Sequence, residues 1–516
     1  MPTLTTLDYG IILVYLIVVA GLGIKLTKRT PDTDELFLAG RSLGPMAIGL
    51  SLFASNISST TLIGLPGAAW ESGIAVANYE WMAALVLLFT TVFIAPVFIK
   101  QKITTIPELL ERRFDPRLRK YLSATSLFLS IVLDTAGSLY AGAVVLLIFF
   151  PELSLAPTCA IMAIFAGLYT AAGGLRAVVY TDVLQALVLL IGSLTLAIIV
   201  FGEFNFSWAA VSQAVAPDHL SLIRPLDDTA LPWLGTLIGL PILGFYYWTM
   251  NQYVAQRLLG ARDLHAAARG SMIAATLKLL PLFLMVMPGA MATVLLPDLE
   301  RGDTVFPRLI AEYAPAGIAG LMLAGLMAAI MSSVDSTLNS ASTLFIVDFV
   351  QPRHPTLNTK KLAQLGRGCT LILMMIAAAW APLIDSFPGL FAYLQQTFAY
   401  VTPPLVAVFA VGFISKKVGS QAALCGLISG HILSASIFLL AQMGFVTLHF
   451  TIVAGLLFIT TTIIILLLQH IFRLMPASSN QLAAVSSQST THLSHKEKLT
   501  LLILTGATVL IVIAFW

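Results

Sequence analysis

The chain has 516 residues, of which 58% are hydrophobic and 10% are charged, and its formal net charge is +3. Soluble globular domains carry about 25% charged residues, so this composition excludes a water-soluble globule and predicts an integral membrane protein. The cysteines Cys159, Cys369 and Cys425 lie in apolar stretches, which favours small buried side chains over a disulfide framework or a metal site.

The first apolar run covers about residues 8–27. A secretory signal peptide carries its positive charge before the apolar segment and a small-residue cleavage site after it. Here the order is reversed, because Lys25, Lys28 and Arg29 lie at the end of the run or just after it. We therefore expect a first membrane span that is retained.

Apolar runs of about 20 residues, the length that crosses the hydrocarbon core, recur along the whole chain. They predict fourteen spans, at 8–27, 46–70, 74–99, 121–150, 154–172, 177–201, 233–257, 270–296, 314–347, 365–388, 391–415, 420–443, 447–470 and 497–516. A polar stretch at 476–496 is interpreted as a flexible cytoplasmic linker before the last span.

The basic residues agree with this count. Cytoplasmic loops carry an excess of Lys and Arg, and with the N-terminus outside, 24 of the 28 basic residues fall in inside loops, with Arg257 among them. We therefore expect a multi-pass protein of the bacterial inner membrane with both termini outside.

Five ionisable residues stand out inside the predicted spans, where charged groups are costly and usually functional. They are Glu80, Asp134, Asp182, Lys278 and Asp335. One such residue is compatible with an isolated structural pair. Five in one bundle indicate a hydrated pathway.

The second span contains a polar run, ASNISSTT at 54–61, followed by Gly64, Pro66 and Gly67. Hydroxyl and amide side chains compete for backbone hydrogen bonds, and the Gly-Pro-Gly pattern weakens the helix. In transporters such breaks offer carbonyls to a cation and helix N-termini to the substrate. The alternative is a kinked helix whose hydroxyls bond to its own carbonyls.

The ninth span carries Ser332, Ser336, Asn339 and Thr343 at positions i, i+4, i+7 and i+11, which places them along one helix face. Hydroxyl and carbonyl oxygens with few carboxylates suit a hard monovalent cation. The alternative is close helix packing through serine.

The seventh span contains the aromatic run 245–248 between several glycines and a proline. Because the run is in the middle of the span, we predict a gate or a surface that stacks on a sugar ring. An interfacial aromatic belt is the alternative.

Together these segments resemble the sodium/solute symporter family, and most closely its sodium/glucose (galactose) cotransporter branch. The resembling stretches are ASNISSTTLIG at 54–64, NYEWM at 78–82, TIPELLERRF at 105–114, GGLRAVVYTDVLQ at 173–185, YYWTMNQYVAQR at 246–257 and MSSVDSTLNSASTLFIVD at 331–348.

The resemblance implies an all-α, leucine-transporter-like core within a single membrane domain, 1–516. Two inverted repeats of five helices would occupy 46–201 and 233–415, with the first helix of each repeat broken near Asn56 and Gly244. A leading helix at 8–27 and peripheral C-terminal helices at 420–516 would complete the domain.

The resemblance also implies particular sites. The main sodium site falls on Ala54, Ile57, Ala329, Ser332 and Ser333, of which the first three would offer carbonyls and the serines hydroxyls. A second sodium site falls on Asp182, Ser332 and Ser336, together with Asp335, which departs from the family pattern. The substrate residues would be Asn56, Ser58, Thr61, Glu80, Lys278 and Gln395, and the inner gate Tyr247 and Trp248.

We therefore expect sodium-coupled import of a small neutral sugar or polyol, with the solute, sodium ions and the bilayer as partners. Nothing indicates nucleic acid or an obligate protein partner. Galactose itself is in doubt, because Thr61, Ala83 and Gly244 differ from the galactose transporter. We expect no intramembrane arginine that could clamp a carboxylate, which disfavours acidic substrates.

Several alternatives stay open: sialic acid, an amino acid or a vitamin-like solute as substrate, and a transporter-derived sensor or uncoupled facilitator. An enzyme is disfavoured because the chain has no HExxH or GxSxG motif.

Overall fold

The computed structural model describes residues 4–26, 37–172, 175–387, 389–472 and 493–516. These residues form an all-helical bundle without a β-strand, which confirms the all-α part of the predicted fold class. Lys28, Arg29, the pair 173–174 of one resembling stretch, and the predicted linker up to residue 492 lie outside the described residues.

Among the described residues, eleven α-helices lie before residue 215. They are α1 (Thr6–Leu26), α2 (Pro45–Asn56), α3 (Ser59–Ser72), α4 (Asn78–Phe93), α5 (Ala95–Gln101), α6 (Ile106–Arg113), α7 (Pro116–Leu129), α8 (Ala136–Phe149), α9 (Leu155–Ala172), α10 (Leu175–Gly202) and α11 (Trp208–Ala214).

Twelve further α-helices follow in the part of the chain that the structure describes. They are α12 (Trp233–Ile238), α13 (Leu240–Phe245), α14 (Gln252–Leu259), α15 (Leu264–Leu277), α16 (Met287–Leu295), α17 (Val305–Tyr313), α18 (Ile318–Phe345), α19 (Thr359–Trp380), α20 (Leu390–Ile414), α21 (Ser420–Gln442), α22 (Phe450–Ile471) and α23 (His495–Ala514). Wider π-helical turns occupy Ser130–Thr135, Tyr246–Met250, Leu282–Val286 and Ile346–Val350.

Within the described residues, ten helical segments are long and apolar enough to cross a membrane, or eleven if the bent pair α2 and α3 is one span. The chain is therefore a multi-pass membrane protein. The three other predicted spans, 8–27, 154–172 and 233–257, coincide with helices that are shorter or interrupted. The count of fourteen stays a prediction.

The break predicted near Asn56 is confirmed. Helix α2 ends at Asn56, α3 begins at Ser59, and the two are bent by 55°. Ser58 between them has extended backbone, and its hydroxyl accepts a hydrogen bond from the Thr61 amide, which caps the new helix. The local sequence thus both ends one helix and starts the next.

The second break, expected near Gly244, is wrong in position. Gly244 lies within α13, and a Cβ there would come 3.3 Å from the Val86 side chain, so this glycine permits close packing against α4. The chain leaves the helix at Asn251, whose backbone is extended. The Asn251 side chain accepts from the amide of Tyr253 and caps α14.

Helix α2 is held in the centre of the bundle, where it packs against α10, α15 and α18. The leading helix α1 contacts the start of α18, because the Asp8 carboxylate accepts from the amides of Gly317 and Gly320 at 2.8 and 2.7 Å. A carboxylate at a helix N-terminus is favourable. The bundle therefore fixes both helices to which the predicted sodium ligands belong.

Candidate functional site

A cavity lies at the break between α2 and α3. Five of the six predicted substrate residues line it: Asn56, Ser58, Thr61, Glu80 and Gln395. Both predicted gate residues, Tyr247 and Trp248, line it as well. The structure therefore brings together side chains that are more than 300 positions apart in the sequence.

Lys278, the sixth predicted substrate residue, lies behind the cavity wall. Its side chain is fully buried, and its ammonium group donates to the carboxylate of Glu80. The ammonium nitrogen also lies 5.2 Å from the centre of the Trp248 ring, within the range of a cation–π contact. Lys278 thus neutralises Glu80 and orients it from behind.

The aromatic side chains of the cavity are linked to the second break. The hydroxyls of Tyr247 and Tyr253 are hydrogen-bonded, and Tyr253 follows the break at Asn251. The rings of Tyr247 and Trp248 meet edge to face with their centres 5.2 Å apart. A change at the break would therefore move the cavity wall.

Further polar residues line the cavity, and two of them, Tyr79 and Asp134, were not among the predicted substrate residues. The buried hydroxyl of Tyr79 has no hydrogen-bond partner among the described residues. The carboxylate of Asp134 accepts a 3.4 Å hydrogen bond from Asn251 and has no basic partner in the described part of the chain. Such unsatisfied groups are available to a ligand. Tyr79 adjoins Glu80 in the NYEWM stretch, which is the signal that could have identified it.

The predicted main sodium residues are all buried, with Ser333 the most exposed at 3%. The carbonyls of Ala54 and Ile57 lie at the end of α2, where carbonyls lose their partners within the helix. The Ser333 hydroxyl lines the cavity and donates to the carbonyl of Ala329 at 2.8 Å. This set of oxygen atoms suits a hard cation.

Two of the four predicted second-site residues, Asp182 and Ser332, are in direct contact, and a third, Ser336, is linked to them through Arg257. Asp182 is fully buried, and it accepts hydrogen bonds from the hydroxyls of Ser51 and Ser332. Ser336 joins the group through Arg257, whose guanidinium donates to both Ser336 and Asp182. Asp335 is 1% exposed, and its part in this group stays a prediction.

The prediction that Arg257 lies in an inside loop is wrong. Its side chain is fully buried, and its guanidinium lies 3.2 Å from the Asp182 carboxylate. The pairing could not be deduced from either segment alone, because it joins α10 to α14. Arg257 is not among the residues that line the cavity. It is therefore not positioned to bind an acidic solute there.

The sequence matches a family model described as sodium:solute symporter family over residues 36–430. A sodium/mannose cotransporter of Bos taurus is 36% identical over 465 residues, covering 83% of this chain and 78% of the relative. A sodium/glucose cotransporter of Vibrio parahaemolyticus is 34% identical over 457 residues, covering 83% and 84%.

The solved structure of a sodium-coupled sialic acid symporter in a substrate-bound, outward-open state is similar to this chain. The TM-score is 0.80 at 22% identity, and the similarity covers 92% of this chain and 99% of the other. At that identity the likeness establishes a shared fold.

Proposed function

The chain belongs to the sodium:solute symporter family, and on that premise we propose that it imports a small neutral sugar or polyol with sodium by alternating access. The proposal rests on one observation: predicted sodium residues and predicted substrate residues line the same cavity. Asn56 and Ser333 face it from the two helices of the main sodium site, and Glu80 faces it as well. A cation and a solute bound there would favour the same arrangement of α2 and α18, which is the condition for coupling.

The polar wall suits hydroxyl groups. Glu80 and Gln395 supply acceptors and donors, and the Tyr79 hydroxyl is without a partner among the described residues. A site built to bind hydroxyls discriminates strongly, because a missing hydroxyl leaves buried groups unpaired. The named cotransported solutes of the relatives, mannose and glucose, belong to this chemical class.

The two fully buried cationic side chains among the described residues are paired with carboxylates of the chain, which favours a neutral solute. Lys278 is paired with Glu80, and Arg257 is paired with Asp182. A carboxylate-bearing solute needs a cation that is not already neutralised. Neither of these two residues offers one.

We assign the main sodium ion to Ala54, Ile57, Ala329, Ser332 and Ser333. The support is the position of the first two at the open end of α2, together with the packing of α2 against α18. Asp182 and Ser336, joined by Ser332, are the candidates for a second cation. Sodium is the transported co-substrate in this account.

We also propose the finer architecture: fourteen spans, two inverted repeats at 46–201 and 233–415, and both termini outside the bacterial inner membrane. Breaks at Asn56 and Asn251 support the repeats, since each lies in the first span of its proposed repeat. The helices at 8–27 and 420–516 would then flank a single domain.

Thermal-shift measurements on the purified protein test the function. We expect mannose, glucose or myo-inositol to raise the melting temperature in sodium and to have little effect in potassium. Stabilisation only by amino acids or sialic acid would reject the sugar and polyol class. Equal stabilisation in both salts would favour a sensor or an uncoupled facilitator.

A further inference from the structure

The negative charges that line the cavity between α2 and α3 are not all balanced. The described lining residues include two carboxylates, Glu80 and Asp134, and no lysine, arginine or histidine. Glu80 is compensated by the ammonium group of Lys278. Asp134 accepts a hydrogen bond of 3.4 Å from the side-chain amide of Asn251 and pairs with no basic side chain in the described part of the chain. One negative charge is therefore left for a ligand to balance, because a desolvated charge without a partner is costly.

A second acceptor without a partner lines the same cavity. The side chain of Asn56 is 9% exposed, and its oxygen Oδ1 has no hydrogen-bond partner among the described residues. A hydroxyl group donates one hydrogen bond, whereas an ammonium group donates three and accepts none. The unmatched oxygens of Asn56 and Asp134 thus call for donors, and the carboxylate calls for a positively charged one.

The backbone that carries Asp134 is fixed by contacts with two other helices. Asp134 lies in the π-helical turn Ser130–Thr135, and such turns are frequent at functional sites. The hydroxyl of Thr135 is hydrogen-bonded to that of Thr337 on α18 at 2.9 Å. The hydroxyl of Tyr393 on α20 donates to a carbonyl of the same turn at 2.9 Å. The carboxylate is therefore presented to the cavity from a supported position, as a binding group requires.

We propose that Asp134 adapts the solute site to amino sugars, in which an ammonium group replaces one hydroxyl of a neutral sugar. The inference rests on the proposed function and extends its solute class. Neutral sugars bind through Glu80 and Gln395, and the ammonium group of an amino sugar binds in addition to Asp134. Charge-assisted hydrogen bonds are about twice as strong as neutral ones, so an amino sugar binds about tenfold more tightly than its neutral parent.

Competition against a labelled neutral sugar tests the proposal. Glucosamine, mannosamine and 6-amino-6-deoxyglucose are each compared with the neutral parent sugar as inhibitors of sodium-dependent uptake into proteoliposomes, at a pH below the pKa of the amine. In the wild type, at least one of them should inhibit at about one-tenth of the concentration that its parent requires. In Asp134→Asn this ratio should fall to about one, because an amide carries no charge and donates hydrogen bonds itself.

Two further variants isolate the charge of Asp134 as the cause. Asp134→Glu keeps the carboxylate and should retain most of the preference for the amino sugar. Asp227→Asn is the matched control, because Asp227 is exposed and does not line the cavity. It should show the same ratio as the wild type. If Asp134→Asn folds without transporting, thermal shift with the same pairs of sugars compares their affinities instead.

The same measurements can overturn the proposal. Equal inhibition by every amino sugar and its parent in the wild type does so, even if Asp134→Asn does not fold. A preference for the amino sugar that persists in a folded Asp134→Asn protein does so as well. In both cases the sodium-dependent uptake of the neutral sugar leaves the proposed function standing. Absence of sodium-dependent uptake of any neutral sugar by the wild type would instead reject the proposed function.

Discussion

Lys278 and Glu80, 198 positions apart in the chain, are joined by a hydrogen bond at the cavity wall. Glu80 faces the cavity, while Lys278 is fully buried behind it. The pair therefore presents a carboxylate of fixed orientation to a solute without leaving its charge uncompensated. This arrangement makes the role of each residue separately testable.

Glu80→Ala and Gln395→Ala should each abolish most solute uptake, because each removes a hydrogen-bonding group from the cavity wall. Uptake into proteoliposomes measures the effect, and the melting temperature shows whether the variants remain folded. Glu203→Ala, at an exposed position outside the cavity, is the control. Normal transport by both cavity variants would place the substrate elsewhere.

Lys278→Met should be less stable than the wild type by about 3–5 kcal/mol, the cost of leaving a buried charge without its partner. The double variant with Glu80→Gln should recover part of that loss, since no charge then remains. Denaturant titration of the wild type and the two variants measures this. Equal stability of the single and double variants would contradict the pairing.

Ser333→Ala should weaken sodium activation of uptake about tenfold, equivalent to about 1.4 kcal/mol, because one oxygen ligand is lost. Ser342→Ala on the same helix is the matched control, since its hydroxyl donates instead to the carbonyl of Gly366. Sodium concentrations at half-maximal uptake distinguish the two. Normal sodium activation of uptake by the Ser333→Ala protein would contradict the assignment of the main sodium site.

Tyr247→Phe and Tyr253→Phe should have similar effects on uptake, and the double variant little more than either. The reason is that both substitutions remove the same hydrogen bond, worth about 0.5–1.5 kcal/mol. A double-mutant cycle on uptake rates measures the coupling. Fully additive losses would show that the two hydroxyls act independently.

Asp134→Asn should change the preference among solutes and leave the sodium concentration at half-maximal uptake nearly unaltered. An ionised carboxylate only accepts hydrogen bonds, whereas an amide also donates, so the favoured pattern of solute hydroxyls changes. Competition of a panel of sugars against one labelled solute measures the preference. An altered sodium response with unchanged solute ranking would assign Asp134 to a cation instead.

Sequence patterns predicted the features that depend on local chemistry. The break at Asn56 was predictable because the run from Ser58 to Thr61 provides its own cap, and the polar face of α18 followed from helical periodicity. Features that depend on contacts between distant segments were not predictable. Arg257 was predicted to lie in a loop, because nothing near it in the sequence indicates that it pairs with Asp182 on another helix. Gly244 was predicted to break a helix, although it permits close packing between two helices.

The count of spans illustrates the same limit. Eleven of the predicted apolar runs coincide with candidate membrane spans of the described residues, whereas 233–257 is divided at Gly239 and Asn251 in ways that composition does not reveal. The π-helical turn at Ser130–Thr135, which includes Asp134, likewise left no recognisable pattern in the sequence.

Uptake of labelled mannose, glucose or myo-inositol into proteoliposomes with an inward sodium gradient tests the central claim most directly. A neutral solute that enters with sodium moves charge, and each charge gains about 2.3 kcal/mol per 100 mV. We predict accumulation above the external concentration that increases when the interior is made negative and disappears when potassium replaces sodium. Uptake that is independent of sodium and stops at equal concentrations on both sides would contradict sodium-coupled transport.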